Sequence, residues 1–374
     1  MQNKIGNKFE ILDTTLRDGA QTPGIAWTLE QKVKIGKYLD KLGVNVIEFG
    51  FPIVSASEIK LGQMLRKAKI KAKLCGLARP EEKDIVAVFN SGAQRVNIFV
   101  SCSDIQTGAM NKSLNKEFAK TLKATELAKS KGLEVEITLM DAVRARPEML
   151  FPFAKALEMK GAKILTLSDT VGTSDAFSTD KLFREMRLHT NLVLSAHMHN
   201  DRGQATATTL AALRAGARQV HVTVGGLGER AGNASLAEVV IGAHDQLMLK
   251  STVQKERLGP VINIISKIGN FKLFEGAPIT GARVHSHAAG LHIGALKAFS
   301  PFPPERVGRK TTILYGAGTG RKAVEELLLQ LGKPVTPQNV QELVTYFKSH
   351  GEKGKVFTQT QAKKVIVRRS AKIK

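Results

Sequence analysis

Two short stretches, far apart in the chain, hold residue types that can do chemistry together. The first reads Asp13-Thr14-Thr15-Leu16-Arg17-Asp18-Gly19. The second reads His197-Met198-His199-Asn200-Asp201 and is followed by Gly228-Glu229-Arg230-Ala231-Gly232-Asn233. Asp18 offers a carboxylate, His197 and His199 two imidazoles, and Asn233 an amide oxygen. Such a mixed nitrogen and oxygen set suits Zn²⁺, Mn²⁺ or Mg²⁺ without choosing among them. A lone His-x-His is more often a pair of satisfied polar side chains at a strand end. Here Asp18 and Asn233 fall at matching positions, which favours the metal. Arg17 brings a permanent charge suited to gripping a carboxylate or steadying an oxyanion, and it can also pair with a carboxylate such as Glu48.

These side chains need a scaffold that brings distant segments to one rim. Short apolar runs at 9–12, 44–49, 72–77, 95–100, 134–139, 163–167, 193–197 and 219–224 alternate with longer helical patterns. Helix-ending glycines stand before several of them, at Gly43, Gly92, Gly132, Gly161 and Gly216. Eight strand–helix units predict a parallel sheet closed into a (β/α)₈ TIM barrel. Residues two apart on a strand share a face, so His197 and His199 can aim at one ion. Asp18 and Arg17 follow strand 1, Thr170 follows strand 6, Asn233 follows strand 8, and closure makes neighbours of these staves.

Two glycine-rich loops remain. Gly225-Gly226-Leu227-Gly228 follows strand 8, a common phosphate position in barrels, so Gly226 and Gly228 are candidates for holding the phosphates of a cofactor. Tyr315-Gly316-Ala317-Gly318-Thr319-Gly320 lacks a βαβ context and reads as a turn that starts a helix. Residues 283–292 hold three histidines without a Cys or acidic cluster around them, so one of them acting as a general base is the simpler expectation.

The barrel is expected over residues 1–250. Residues 251–374 read as a small, mainly helical C-terminal extension, with helices near 255–267, 321–332 and 336–349. No apolar run nears the roughly 20 residues of a membrane span, and the opening MQNKIGNKFE has no apolar signal core. Two cysteines, Cys75 and Cys102, do not make a disulfide framework, which points to a reduced, cytoplasmic setting. The 56 basic and 33 acidic residues leave a net charge of +23. The lysines are mostly spread over helical faces, and only 363–374 is concentrated. With 5% aromatic residues there is little for bases to stack on, so no specific nucleic-acid binding is expected.

Taken together the motifs resemble the metal-dependent barrel enzymes that join acetyl-CoA to a 2-oxoacid: the 2-isopropylmalate, homocitrate and citramalate synthases. The resemblance covers almost the whole chain. It includes the two motifs above, Ile47-Glu48-Phe49-Gly50-Phe51-Pro52, Gly76-Leu77-Ala78-Arg79 and Ser168-Asp169-Thr170-Val171-Gly172. Gly50-Phe51-Pro52 and Ser103-Asp104-Ile105 are most similar to the isopropylmalate branch, which serves leucine biosynthesis. The resemblance implies an acyltransferase that condenses acetyl-CoA with a 2-oxoacid and hydrolyses the thioester, working as a homodimer. It implies Asp18, His197, His199 and Asn233 as metal ligands, Arg17, Thr170 and Glu48 at the oxoacid, and His292 as the catalytic histidine. The chain departs from the family pattern at Ala20, where a Glu is usual, and at Met140-Asp141, where an acidic pair is usual. Asp141 is the expected substitute for the missing carboxylate. No leucine-sensing regulatory domain is expected. A carbon–carbon lyase or aldolase and a catalytically altered paralogue are the competing readings.

Overall fold

The computed structural model describes residues 7–288, 292 and 295–369, so the last residues of the basic tail lie outside the description. Eight parallel strands close a barrel in chain order: β1 (Glu10–Asp13), β2 (Val46–Gly50), β3 (Lys73–Ala78), β4 (Arg95–Ser101), β5 (Glu134–Met140), β6 (Ile164–Asp169), β7 (Val193–Met198) and β8 (Gln219–Val222). Closure comes from β1 against β8, with Glu10 opposite Gln219 and Asp13 opposite Val222. The expected (β/α)₈ barrel is therefore present, each strand within a few residues of its place in the sequence pattern.

The helices between strands are started by local chemistry. Thr28 opens α1 (Leu29–Leu42) with a capping box, its hydroxyl accepting from the Gln31 N–H while Gln31 reaches back to the Thr28 N–H. Gly43 ends that helix at φ 95°, a left-handed turn that a side chain would strain. Asp175 caps α7 (Ala176–His189) in the same reciprocal way with Ser178. The remaining helices are α2 (Ala56–Lys67), α3 (Glu82–Asn90), α4 (Asp104–Ala109), α5 (Leu114–Ser130), α6 (Pro147–Lys160), α8 (Ala205–Arg214), α9 (Leu236–Leu247) and α10 (Leu258–Gly269).

The chain divides into two compact units, 1–273 and 274–374. Residues 251–273, assigned from sequence to the extension, pack with the barrel instead. The reason is α10, whose Leu258, Val261, Ile262 and Ile265 recur at helical spacing and are buried. Its C-terminal carbonyls are held from the start of α1, Ile268 by the Gln31 side chain (2.7 Å) and Gly269 by the Trp27 indole (2.8 Å).

The second unit is mainly helical and carries a small sheet. Helices Arg321–Gln330, Pro337–Glu352 and Gln359–Arg369 share a core of Leu327, Leu343, Phe347 and Ile366 with Tyr315 and Phe357 from a small sheet. That sheet runs Phe357–Thr358, Thr312–Tyr315, Ser286–His287 in spatial order. Among the described residues no helix is long and apolar enough to cross a membrane.

Candidate active site

A cavity of about 360 Å³ opens at the C-terminal ends of the barrel strands. Its polar wall is made by Arg17, Asp18, His197, His199, Thr170 and Ser168. Asp18 leaves β1 through a turn whose N–H groups gather on the Thr14 carbonyl, and this fixes Arg17 and Asp18 side by side. His197 is on β7, and His199 follows it where the chain bridges to Asn233. One Asp18 carboxylate oxygen stands 3.4 Å from His197 Nε2 and 3.8 Å from His199 Nε2, and the two Nε2 atoms are 3.2 Å apart. Gly228 is what lets the Asn233 loop close on Asp18, since a Cβ there would collide with the Asn233 amide and press on Asp18.

The electrostatics suit a cation. Burial works against charge on Asp18, but Arg17, the hydrogen bond from His197 and both imidazoles hold its carboxyl well below the usual carboxylate range. Burial lowers His197, with Asp18 opposing. Burial and then His197 push His199 down to about 4. Near neutral pH, then, a carboxylate faces two uncharged imidazoles, which is the charge state that metal ligands need. Asn233 Oδ1 is buried beside this group without a hydrogen-bond partner, while its amide nitrogen donates to the Leu227 carbonyl (3.1 Å). Asp18, His197 and His199 form the one candidate metal cluster among the described residues. The donor set and the orphaned amide oxygen fit a divalent ion.

Arg17 is braced from below. Its Nε donates to Glu48 Oε2 at 2.6 Å and its NH1 to Asp18 at 3.0 Å. Glu48 is fully buried and also accepts from the Thr14 hydroxyl (2.6 Å) and the Asn97 amide (2.8 Å). Its oxygens are thus occupied, and it positions Arg17 rather than lining the cavity. Thr170 does line it. The Asp141 N–H donates to Thr170 Oγ1 at 2.9 Å, leaving the Thr170 hydroxyl proton free for a ligand. Ser168 Oγ borders the cavity, buried and without a partner.

Two expectations, Asp141 and the Gly226 and Gly228 loop, land outside the expected role. Asp141 takes a left-handed conformation (φ 63°), and its carboxylate is held by Arg144 at 2.7 and 2.8 Å and by the Ser103 hydroxyl. It is buried outside the cavity wall, and Met140 faces the cavity in its place. Gly226 and Gly228 make no phosphate cradle, because their N–H groups already donate to the Thr223 carbonyl and the Thr22 hydroxyl. His292 lies in the second unit, exposed, its ring stacked on Phe299 at 4.4 Å.

Other cavity residues escaped the sequence reading. Phe51, Leu77, Phe99 and Met140 form an apolar wall, with Asn97 and Thr138 beneath. His221 closes the floor, its Nε2 2.7 Å from the buried Glu136 and its ring 5.3 Å from that of His197. The available signal was strand period: Asn97 and Phe99 on β4, and Thr138 and Met140 on β5, each stand two apart.

Comparison with known proteins agrees with this geometry. Residues 8–265 match the HMGL-like family, and residues 279–355 match the homocitrate synthase post-HMGL domain-like family. A putative (R)-citramalate synthase of Archaeoglobus fulgidus is 36% identical, over 98% of this chain and 77% of that one. A 2-isopropylmalate synthase of Methanocaldococcus jannaschii is 35% identical, over 97% and 72%. Among solved structures, the HMG-CoA lyase of Bacillus subtilis superposes with a TM-score of 0.64 at 21% identity, over 72% of this chain and 96% of that one, a likeness of fold.

Proposed function

This chain belongs to the HMGL-like family, and from that membership and its cavity we propose that it condenses acetyl-CoA with an apolar 2-oxoacid, as a 2-isopropylmalate synthase does. The observation that carries the reading is one cavity with Asp18, His197, His199 and Arg17 on one side and Phe51, Leu77, Phe99 and Met140 on the other. A divalent ion held by Asp18, His197, His199 and Asn233 would act as a Lewis acid on the oxoacid's ketone.

The protein's own groups do the rest. Arg17, kept charged and aimed by Glu48, stabilises the alkoxide that forms when the acetyl methyl carbon adds to the ketone. Thr170 and Ser168 donate to the oxoacid carboxylate. His292, carried over from the family pattern, is the proposed acid–base group, and water then hydrolyses the thioester to release the CoA thiol. A homodimer is part of the proposal.

Side-chain selectivity follows from charge. A second carboxylate, as in 2-oxoglutarate, would need a free cation. Arg17 is already bonded to Glu48 and Asp18, and Arg230 to Asp201 at 2.8 and 2.9 Å. A branched aliphatic group such as that of 2-oxoisovalerate instead meets the apolar wall. A second reading, a catalytically altered paralogue, is favoured by Met140, because a thioether cannot take a proton as a carboxylate would.

The test is thiol release from acetyl-CoA with 2-oxoisovalerate, pyruvate and 2-oxoglutarate, with Mn²⁺, Mg²⁺ or Zn²⁺ and after chelation. Release that needs metal and oxoacid, is fastest with 2-oxoisovalerate and disappears in His197→Ala is the expected result. Silence with every oxoacid, in protein that still binds metal, would overturn the synthase and leave the altered paralogue.

A further inference from the structure

The opposite mouth of the barrel gathers positive charge. Where the strands begin, a second cavity of about 590 Å³ is lined by six cations: Lys8, Lys73, Arg95, Lys163, Arg218 and Lys250. They come from the first residue of a strand, or the residue just before it, and from the bridge that pairs Lys8 with Lys250. Chain topology therefore gathers them, since parallel strands start at one end.

The acidic groups of this mouth are already committed. Glu134 binds Lys73 (2.7 Å) and Arg95, and Glu10 lies 3.6 Å from Arg95. Among the described residues Lys8, Lys163, Arg218 and Lys250 form no ion pair. Arg218 is the most telling of them. Its NH1 donates to the carbonyls of Leu213 (3.3 Å) and Ala217 (2.6 Å), but its buried Nε has no partner. Its environment is unfavourable to its charge, first through burial and then through the neighbouring Arg187. Conserving stability alone would place a carboxylate here, because a buried donor left without an acceptor is costly.

We propose that the N-terminal mouth of the barrel binds a small polyanion with linked phosphates. Several cations converging on a cavity of this size suit a compact, multiply charged ligand better than a single carboxylate. The cavity has Phe9 as its aromatic residue, and Phe9 is buried, so no ring is offered for base stacking. Recognition rests on the phosphates, whether they belong to inorganic polyphosphate or to a nucleotide. This inference is independent of the reaction at the other end.

The test is calorimetric titration of the chelator-treated full chain with tripolyphosphate, ATP and a single-stranded oligonucleotide at low salt. Lys163→Gln/Lys250→Gln removes two exposed lysines of the mouth, and Arg218→Gln removes the guanidinium that has no ion-pair partner. Lys34→Gln/Lys37→Gln, on the exposed face of α1, is the charge-matched control. We expect saturable tripolyphosphate binding, weakened about tenfold or more by either mouth variant and less than about twofold by the control. ATP binding with the same variant sensitivity identifies a nucleotide as an acceptable source, and weaker ATP binding identifies inorganic polyphosphate. Equal weakening by the control, no saturable tripolyphosphate binding, or binding of the oligonucleotide alone would overturn the proposal. The lysine double variant keeps the result interpretable if Arg218→Gln folds poorly.

Discussion

Asp13 opens the motif that supplies Arg17 and Asp18, yet it is not a ligand, and replacing it by Asn is expected to stabilise the protein in a pH-dependent way. One oxygen accepts from the Thr15 N–H at 2.9 Å, while the other is buried with no partner. Burial, only partly offset by the Thr15 hydrogen bonds, pushes this carboxyl from its ordinary 3.8 up to about 7. The folded value lies above the unfolded one. The favourable contribution is therefore full below the unfolded value and is lost as pH rises through the folded one. At about 1.4 kcal/mol per tenfold change, the loss grows from near zero at pH 4 to about 4 kcal/mol by pH 8. Asn keeps the acceptor for Thr15 and is neutral throughout, so Asp13→Asn gains little near pH 4 and most near pH 8. For a chain of this size about 2 °C per kcal/mol applies, hence roughly 8 °C at the alkaline end. Scanning calorimetry of both proteins across that pH range, with chelator present to remove metal linkage, is the assay. A difference in Tm that does not grow with pH would show that Asp13 is ionised in the fold and the reasoning wrong.

Glu48→Gln removes the charge under Arg17 and should cost on the order of 3 kcal/mol, with the KM for the oxoacid rising tenfold or more. Calorimetry and steady-state kinetics check this, and an unchanged Tm and KM would remove Glu48 as a brace. Met140→Glu puts a carboxylate on the cavity wall; kcat should change less than about threefold if the working base lies elsewhere, whereas a gain of 100-fold would reveal a site that lacked one. Glu136, resisting burial through its contacts with His221, Arg95 and Thr166, is held down to about 2 from an ordinary 4.5. A depressed carboxyl stabilises above its unfolded value and loses that contribution as pH falls toward the folded one. Glu136→Gln should therefore narrow the fall in Tm between pH 5 and pH 2, by an amount on the order of 3 kcal/mol in stability. An acid limb as steep as the parent's would contradict it.

How legible the site was depended on where each residue sat. His197 and His199 were readable because strand period puts them on one face, and Asp18 because barrel closure makes β1 a neighbour of β8. Asp141 was misplaced because nothing in Met140-Asp141 announces a left-handed residue, and that one torsion swings the carboxylate onto Arg144. Gly226 and Gly228 misled because glycine marks close approach without saying of what; here the close neighbours are Asn233 and Asp18. The apolar wall consists of residues that any core could contain, so only three-dimensional closure gives them a role. In the second unit, strands of two residues are too short for alternation to be read, and only the helices near 321–332 and 336–349 stood out.

The polar column inside the barrel explains why the ligands are held ready. Arg95, at the start of β4, donates to Glu136 (3.2 Å) and to Gln219 (2.6 Å). Glu136 also accepts from Thr166 and Gln219 and faces His221, whose ring meets His197 edge-on. Alongside, Thr138 donates to Asn97, Asn97 to Glu48, and Glu48 receives Arg17. A buried network of this kind is worth having only if its members are satisfied, because each broken bond leaves a charge or dipole in a low dielectric. The interior of this barrel is therefore less a hydrocarbon filling than a set of braces. They hold Arg17 from below through Glu48, while His197 meets the column only at the edge of the His221 ring.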